Sequence, residues 1–122
     1  MHPFRAAIEA RDIDAAIGLL AEDVEFRSPV THAPYRGREA AGLLLRAVFR
    51  VFEDFRYVRE IGEVSNHALV FHARVGEKQV EGCDFFRTAE DGSITELMVM
   101  VRPMSGLLAL AEAMRAQLAP QD

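Results

Sequence analysis

Asp84 sits in a stretch, Val80-Glu81-Gly82-Cys83-Asp84-Phe85-Phe86-Arg87, that offers a carboxylate few polar partners. Alternation along a β-strand turns Val80, Gly82, Asp84 and Phe86 to one side. Leu69, Phe71 and Ala73 of the preceding segment share that side with Leu97, Val99 and Val101 of the following one. Asp84 is therefore the one ionisable group expected on a core-facing surface. Desolvation penalises a charged carboxylate and raises its pKa, so that it can donate or accept a proton near neutrality. Gly82 and Ala73 are small, and room for a ligand is expected beside the acid. The chemistry that fits is acid/base catalysis in an apolar pocket shaped by Phe71, Phe86, Leu97 and Val99. The plainer alternative is an acid that caps a backbone amide or pairs with an arginine from a helix. A buried charge without a partner is rare and points to function.

The other reactive side chains suggest less. The chain has one cysteine, Cys83, on the opposite face of the same strand. It has no adjacent cation to lower its pKa and no second thiol for a disulfide. His2, His32, His67 and His72 show no metal-ligand spacing, so no metal is expected, and no cofactor is called for. Ser28 lacks a Gly-x-Ser-x-Gly elbow and reads as a turn residue. His32 could carry a proton near neutral pH or simply lie exposed in its loop.

The elements that must position Asp84 follow from periodicity. Pro3 suits a first helical turn, with Phe4, Ala7 and Ile8 on one face. Asp12 reads as the N-cap of a second short helix with Ile13, Ala16, Ile17 and Leu20 inward. Residues 24–28 alternate as a strand, and 29–37 form a loop marked by Pro29, Pro34 and Gly37. The longest helix is expected over 38–55, with Ala41, Leu44, Leu45, Val48 and Phe52 at helical spacing. The period then changes to two, and strands fit 56–64, 67–76, 79–88 and 93–102. A closing helix spans 104–119. Helices followed by antiparallel strands make an α+β fold.

Turn chemistry sets the register. Asp91-Gly92 is a hairpin signal that places Arg87 opposite Glu96 and Glu81 opposite Arg102. A turn at Glu77-Lys78 would set Arg74 opposite Glu81. The opposite charges in these pairs support the register. The outer face then carries Val70, His72, Cys83, Phe85, Met98 and Met100, apolar in the middle and charged at its ends. A second copy of the chain is expected to cover it, giving a homodimer.

The composition bounds the rest. The chain has 122 residues, which fits a single domain over 1–122 with a real core. A formal net charge of −5 with no basic run argues against nucleic acid or an anionic membrane as partner. The N-terminus, with Arg5, Glu9, Arg11 and Asp12, does not read as a signal peptide, and no apolar run could span a membrane. A cytoplasmic protein is expected.

The order and spacing of several segments resemble the nuclear transport factor 2-like superfamily, closest to its SnoaL-like branch. These segments are Leu20-Ala21-Glu22-Asp23-Val24-Glu25-Phe26, Ser28-Pro29, Tyr35-Arg36-Gly37-Arg38-Glu39-Ala40, Gly82-Cys83-Asp84-Phe85-Phe86-Arg87, Glu90-Asp91-Gly92-Ser93-Ile94 and Arg102-Pro103. The resemblance implies a cone-shaped, curved antiparallel sheet wrapped around the N-terminal and central helices. It also implies that the loop with His32 and Tyr35 rims the pocket, which makes both candidate ligand-binding residues. In the ketosteroid isomerases of this superfamily a strand Asp followed by x-x-Arg is an acid held protonated by its apolar site, the position that Asp84 matches. Their base, an Asp before a proline, corresponds to Ser28 here, and their helix tyrosine to Phe4. The Asp-Arg-Asp set of limonene-epoxide hydrolase relatives matches at Asp84 alone, with Gly82 at the arginine position and Val99 near the second acid. The lone pocket acid of SnoaL-like polyketide cyclases is compatible with Asp84. The superfamily also hosts non-catalytic binders. The expected function is cofactor-free acid/base catalysis on a small polycyclic or carbonyl-bearing molecule, the alternative being a non-catalytic binding or interaction domain.

Overall fold

A computed structural model describes residues 1–119. The chain starts with two short helices, α1 (Pro3–Glu9) and α2 (Ile13–Gly18). The Phe4 N–H donates to His2 Nδ1 at the start of α1, and the Ala15 N–H donates to Asp12 Oδ1 at the start of α2. These bonds satisfy amides that a helix start leaves free. There follow β1 (Leu20–Arg27), β2 (Tyr35–Arg36), α3 (Arg38–Val51), β3 (Glu53–Glu63), β4 (Asn66–Val75), β5 (Lys78–Thr88), β6 (Ile94–Arg102) and α4 (Met104–Leu118). The strands form one curved, unclosed six-stranded sheet in the order β2-β1-β6-β5-β4-β3. Neighbours are antiparallel except β1 and β6, which run parallel. The fold is α+β, as the sequence pattern implies. The core between sheet and helices is sealed by Phe4, Ile8, Leu20, Leu69, Phe71 and Leu97.

The expected β5–β6 register holds: Arg87 faces Glu96, and Glu81 faces Arg102 with an ion pair of 2.8 Å. The β4–β5 turn lies one residue earlier than expected, at Gly76-Glu77. Gly76 has φ +57°, the left-handed conformation glycine takes without strain. Arg74 therefore faces Gln79 rather than Glu81, and His72 faces Glu81 at 2.8 Å. Moving a turn by one residue shifts the pairing by two, so every side chain keeps its face. Arg74 bonds to Glu53 and Asp54 of β3 instead.

The long helix stops at Val51, four residues short of its expected end. Phe52 is already extended (φ −68°, ψ 134°), and Asp54 has a positive φ of 53°. The chain thus turns at once into β3, which starts at Glu53 and takes Phe55 out of the expected helix.

Candidate functional site

Asp84 lies in the middle of β5, opposite Leu69 on β4 and Val99 on β6. Its side chain faces the core, and the residue is 8% exposed. Tyr57, on β3, reaches across β4 and donates its hydroxyl to Asp84 Oδ2 at 2.7 Å. Tyr57 is buried, and its bulge against β4 between Tyr57 and Arg59 adjusts the strand just where the ring turns inward. Asp84 Oδ1 has no hydrogen-bond partner among the described residues, yet it is not sealed off from solvent-sized space. That oxygen opens to a cavity.

The cavity, about 60 Å³ in volume, lies between the sheet and three helices. Phe4 of α1 and Phe26 of β1 form one part of its wall, and Leu44, Val48, Phe49 and Phe52 of α3 another. Phe55, Phe71, Leu97 and Val99 contribute from the sheet, and Leu110 and Met114 from α4. The polar side chains in the lining are Asp84 and Ser28. Ser28 Oγ accepts the Val30 N–H at 2.9 Å and, more weakly, the Thr31 N–H at 3.4 Å, so its own proton is the polar valence left to point elsewhere.

Burial pushes the Asp84 carboxyl up to about 7, against an ordinary 3.8, even though the Tyr57 hydrogen bond pulls it down. The Tyr57 phenol is raised well above its usual value, first by burial and then by the neighbouring Asp84 charge. Tyr57 is thus a permanent donor at neutral pH, while Asp84 exchanges its proton there. The free Oδ1 can accept a hydrogen bond or proton in one state and donate in the other.

A profile of the SnoaL-like domain matches residues 2–97. The chain belongs to the SnoaL-like family. Within the nuclear transport factor 2-like superfamily, its similar solved structures include a protein described as a steroid delta-isomerase from Pseudomonas aeruginosa. The two are 43% identical over 93% of this chain and 84% of that one, with a TM-score of 0.88. An uncharacterised bacterial protein with a cystatin-like fold from Silicibacter pomeroyi is 36% identical over 96% of this chain and 86% of that one, with a TM-score of 0.89. A SnoaL-like protein of unknown function from Burkholderia thailandensis shares the fold at 20% identity, over 83% of this chain and 90% of that one, with a TM-score of 0.67. No functionally curated protein matches the chain.

This SnoaL-like chain brings Asp84, Phe71, Leu97 and Val99 together around the cavity. Phe86 is buried but packs instead against the rings of His2, Phe4 and His67. Tyr35 and His32, expected at the rim, are both absent from the cavity lining. Ser28-Pro29-Val30 supplies the wall, and the chain beyond it turns away. His32 is exposed beside Met98 and Met100 on a shallow outer depression, and Tyr35 is half-buried in β2, paired with Phe26. The space over Gly82 is not open either. A Cβ there would lie 2.3 Å from Phe71 Cζ, so the Phe71 ring already occupies it.

Asp84 is not alone on its face, since Tyr57 joins it. Phe4, which the resemblance sets at the isomerase tyrosine position, does line the cavity, but the hydroxyl comes from β3. Tyr57 lies inside the strand expected over 56–64, but the helix expected through Phe55 hides the parity that turns it inward. The signal was the alternation Phe55-x-Tyr57, which has strand parity. Among the described residues no cluster of three or more His, Cys, Asp or Glu could hold a metal, and no helix is long and apolar enough to cross a membrane.

Proposed function

We propose that the cavity binds a small apolar molecule bearing a carbonyl group, and that Asp84 is a lone acid/base for isomerase-type proton transfer on it. The observation that carries this reading is the free Oδ1 of a carboxyl at about 7, its other oxygen held by Tyr57, open to an apolar cavity. As a carboxylate, Asp84 takes a proton from the carbon next to the carbonyl. The C–H pair passes into an enolate, and an O–H forms on Asp84. As an acid it returns that proton to the same or a conjugated carbon. Ser28, with its hydroxyl proton uncommitted, is the other lining group able to meet the carbonyl oxygen. The similarity to a protein described as a steroid delta-isomerase supports a reaction of this type.

The test is deuterium exchange into a small cyclic ketone in D₂O, followed by NMR. The wild-type rate should rise with pH through about 7. Asp84→Asn should lower it by about 100-fold or more while leaving the fold intact. Exchange in the wild type no faster than in buffer would leave the second reading, a non-catalytic binder. That reading is favoured by Ser28, which stands where the isomerases carry a carboxylate base.

We also propose a second copy of the chain as partner of the outer sheet face. Phe85 is 38% and Met100 53% exposed there, with Glu81 paired to His72 and Arg102 at one end of the strands and Arg87 opposite Glu96 at the other.

A further inference from the structure

We propose that the site takes a one-ring carbonyl compound in preference to a fused polycyclic one, and that Phe55 sets this limit. The inference rests on the carbonyl-binding reading above and adds the size class of the ligand.

The cavity holds about 60 Å³, whereas pockets that enclose drug-sized molecules run to roughly 300 Å³ and above. A cavity of about 150 Å³ encloses a benzene ring, so a one-ring ligand needs a small widening here and a fused-ring skeleton a far larger retreat of the wall. One wall is built so that it resists. Phe55 stacks on Phe71 with centroids 4.9 Å apart and 29° between planes. It stands edge-on to Tyr57 at 4.9 Å and to Phe49 at 5.0 Å, and it lies 5.7 Å from Phe52. Moving the Phe55 ring disturbs four other rings. Phe71 has nowhere to go, because it already rests on the backbone at Gly82, where even a methyl group would clash. Interiors packed in this way switch between discrete arrangements rather than yield smoothly.

Polarity agrees with size. The lining offers Asp84 and Ser28 as its polar side chains, and Ser28 Oγ already accepts two backbone N–H groups. A ligand with one oxygen function and a hydrocarbon remainder satisfies this lining. A multiply oxygenated skeleton would strand polar groups against phenylalanine. Phe55 is a specificity-determining residue on this account, since it lines the cavity and stands edge-on to Tyr57, the donor to Asp84.

The experiment measures affinities by NMR titration for cyclohex-2-enone, a fused bicyclic enone and a steroid enone. In the wild type the steroid should bind at least about ten-fold more weakly than the one-ring compound. Phe55→Ala should narrow or invert that order. Phe55→Leu, a milder change, should shift it the same way if the alanine variant folds poorly. Steroid binding to the wild type as tight as one-ring binding overturns the proposal. So does undetectable binding of cyclohexenone at millimolar concentration. Asp84→Asn separates the two readings. If it leaves both exchange and affinity unchanged, the proton-transfer reading fails while the size order stands. If it abolishes exchange but the wild type still prefers the steroid, only the size limit fails.

Discussion

The proton on Asp84 couples the chemistry of the site to the stability of the protein. A carboxyl at about 7 when folded, against an ordinary 3.8, binds its proton more tightly in the native state. The native state is then favoured in acid. Stability falls as pH rises from about 4 to 7, by about 4 kcal/mol in all, and is constant above that range. His2 works in the opposite direction: burial and the nearby His67 hold its pKa low, so its contribution grows as pH rises. The comparison that isolates Asp84 is therefore the wild type against Asp84→Asn in urea denaturation at pH 5 and pH 8. The wild type should lose stability across that interval by more than the variant does. Tyr57→Phe should enlarge the loss, because it removes the hydrogen bond that lowers the Asp84 pKa. Equal pH dependence in all three proteins would mean that the acid is solvated. The inward turn of Asp84 was legible because strand parity fixes a side chain's face whatever the exact turn. Its donor was harder to read: Tyr57 falls in the strand expected over 56–64, but the alternation that turns it inward begins at Phe55, inside the stretch expected to be helical.

Among the elements, the α3–β3 junction and the β5 glycine decide the shape of the site. Helical periodicity in the sequence continues past Val51, and Phe52 and Phe55 look like further turns of one helix. The break is a backbone event at Phe52 and Asp54, with a left-handed residue that is not glycine. Propensity does not announce such a break. The β4–β5 pairing errs in the same local way, by the place of a turn, and leaves parity intact. Gly82 carries the opposite lesson. As a small residue it suggested open space, but in the fold it is the seat of the Phe71 ring. Gly82→Ala should therefore cost stability and also shrink the cavity. The added carbon would stand 2.3 Å from Phe71 Cζ and 2.8 Å from the backbone oxygen of Met100, which cannot swing aside. A loss of about 1–3 kcal/mol is expected in denaturant melts, together with weaker binding of the one-ring enone. An unchanged melt would show that Phe71 can leave its seat, and with it that the wall is soft.

At the scale of the whole molecule, the pattern of helices then strands announced α+β, and turn chemistry tied β5 to β6. The parallel pairing of β1 with β6 was not legible. It joins segments far apart in sequence with no turn between them, and nothing local encodes it. The outer face of the sheet raises the remaining question of assembly. Its middle, with Val70, Cys83, Phe85 and Met100, forms an apolar depression. Burial and the Asp84 charge on the other side push the Cys83 thiol up to about 11, so it behaves there as a small apolar group rather than as a nucleophile. One end of the face carries the His72–Glu81–Arg102 arrangement and the other the Arg87 and Glu96 pair, so each end holds both signs. A two-fold axis through the middle would set apolar on apolar and let the ends meet without net repulsion, despite a net charge of −5 on each copy. A stable pair of this kind buries about 1,200–2,000 Å² in total. Sedimentation at micromolar concentration should give the mass of a dimer. Phe85→Lys, which puts a charge in the apolar middle beside its own symmetry copy, should give a monomer with unchanged circular dichroism. A wild type that sediments as a monomer would leave the face to solvent and remove the dimer. The cavity on the opposite face of the sheet, lined by this chain alone, would keep its Tyr57–Asp84 pair either way.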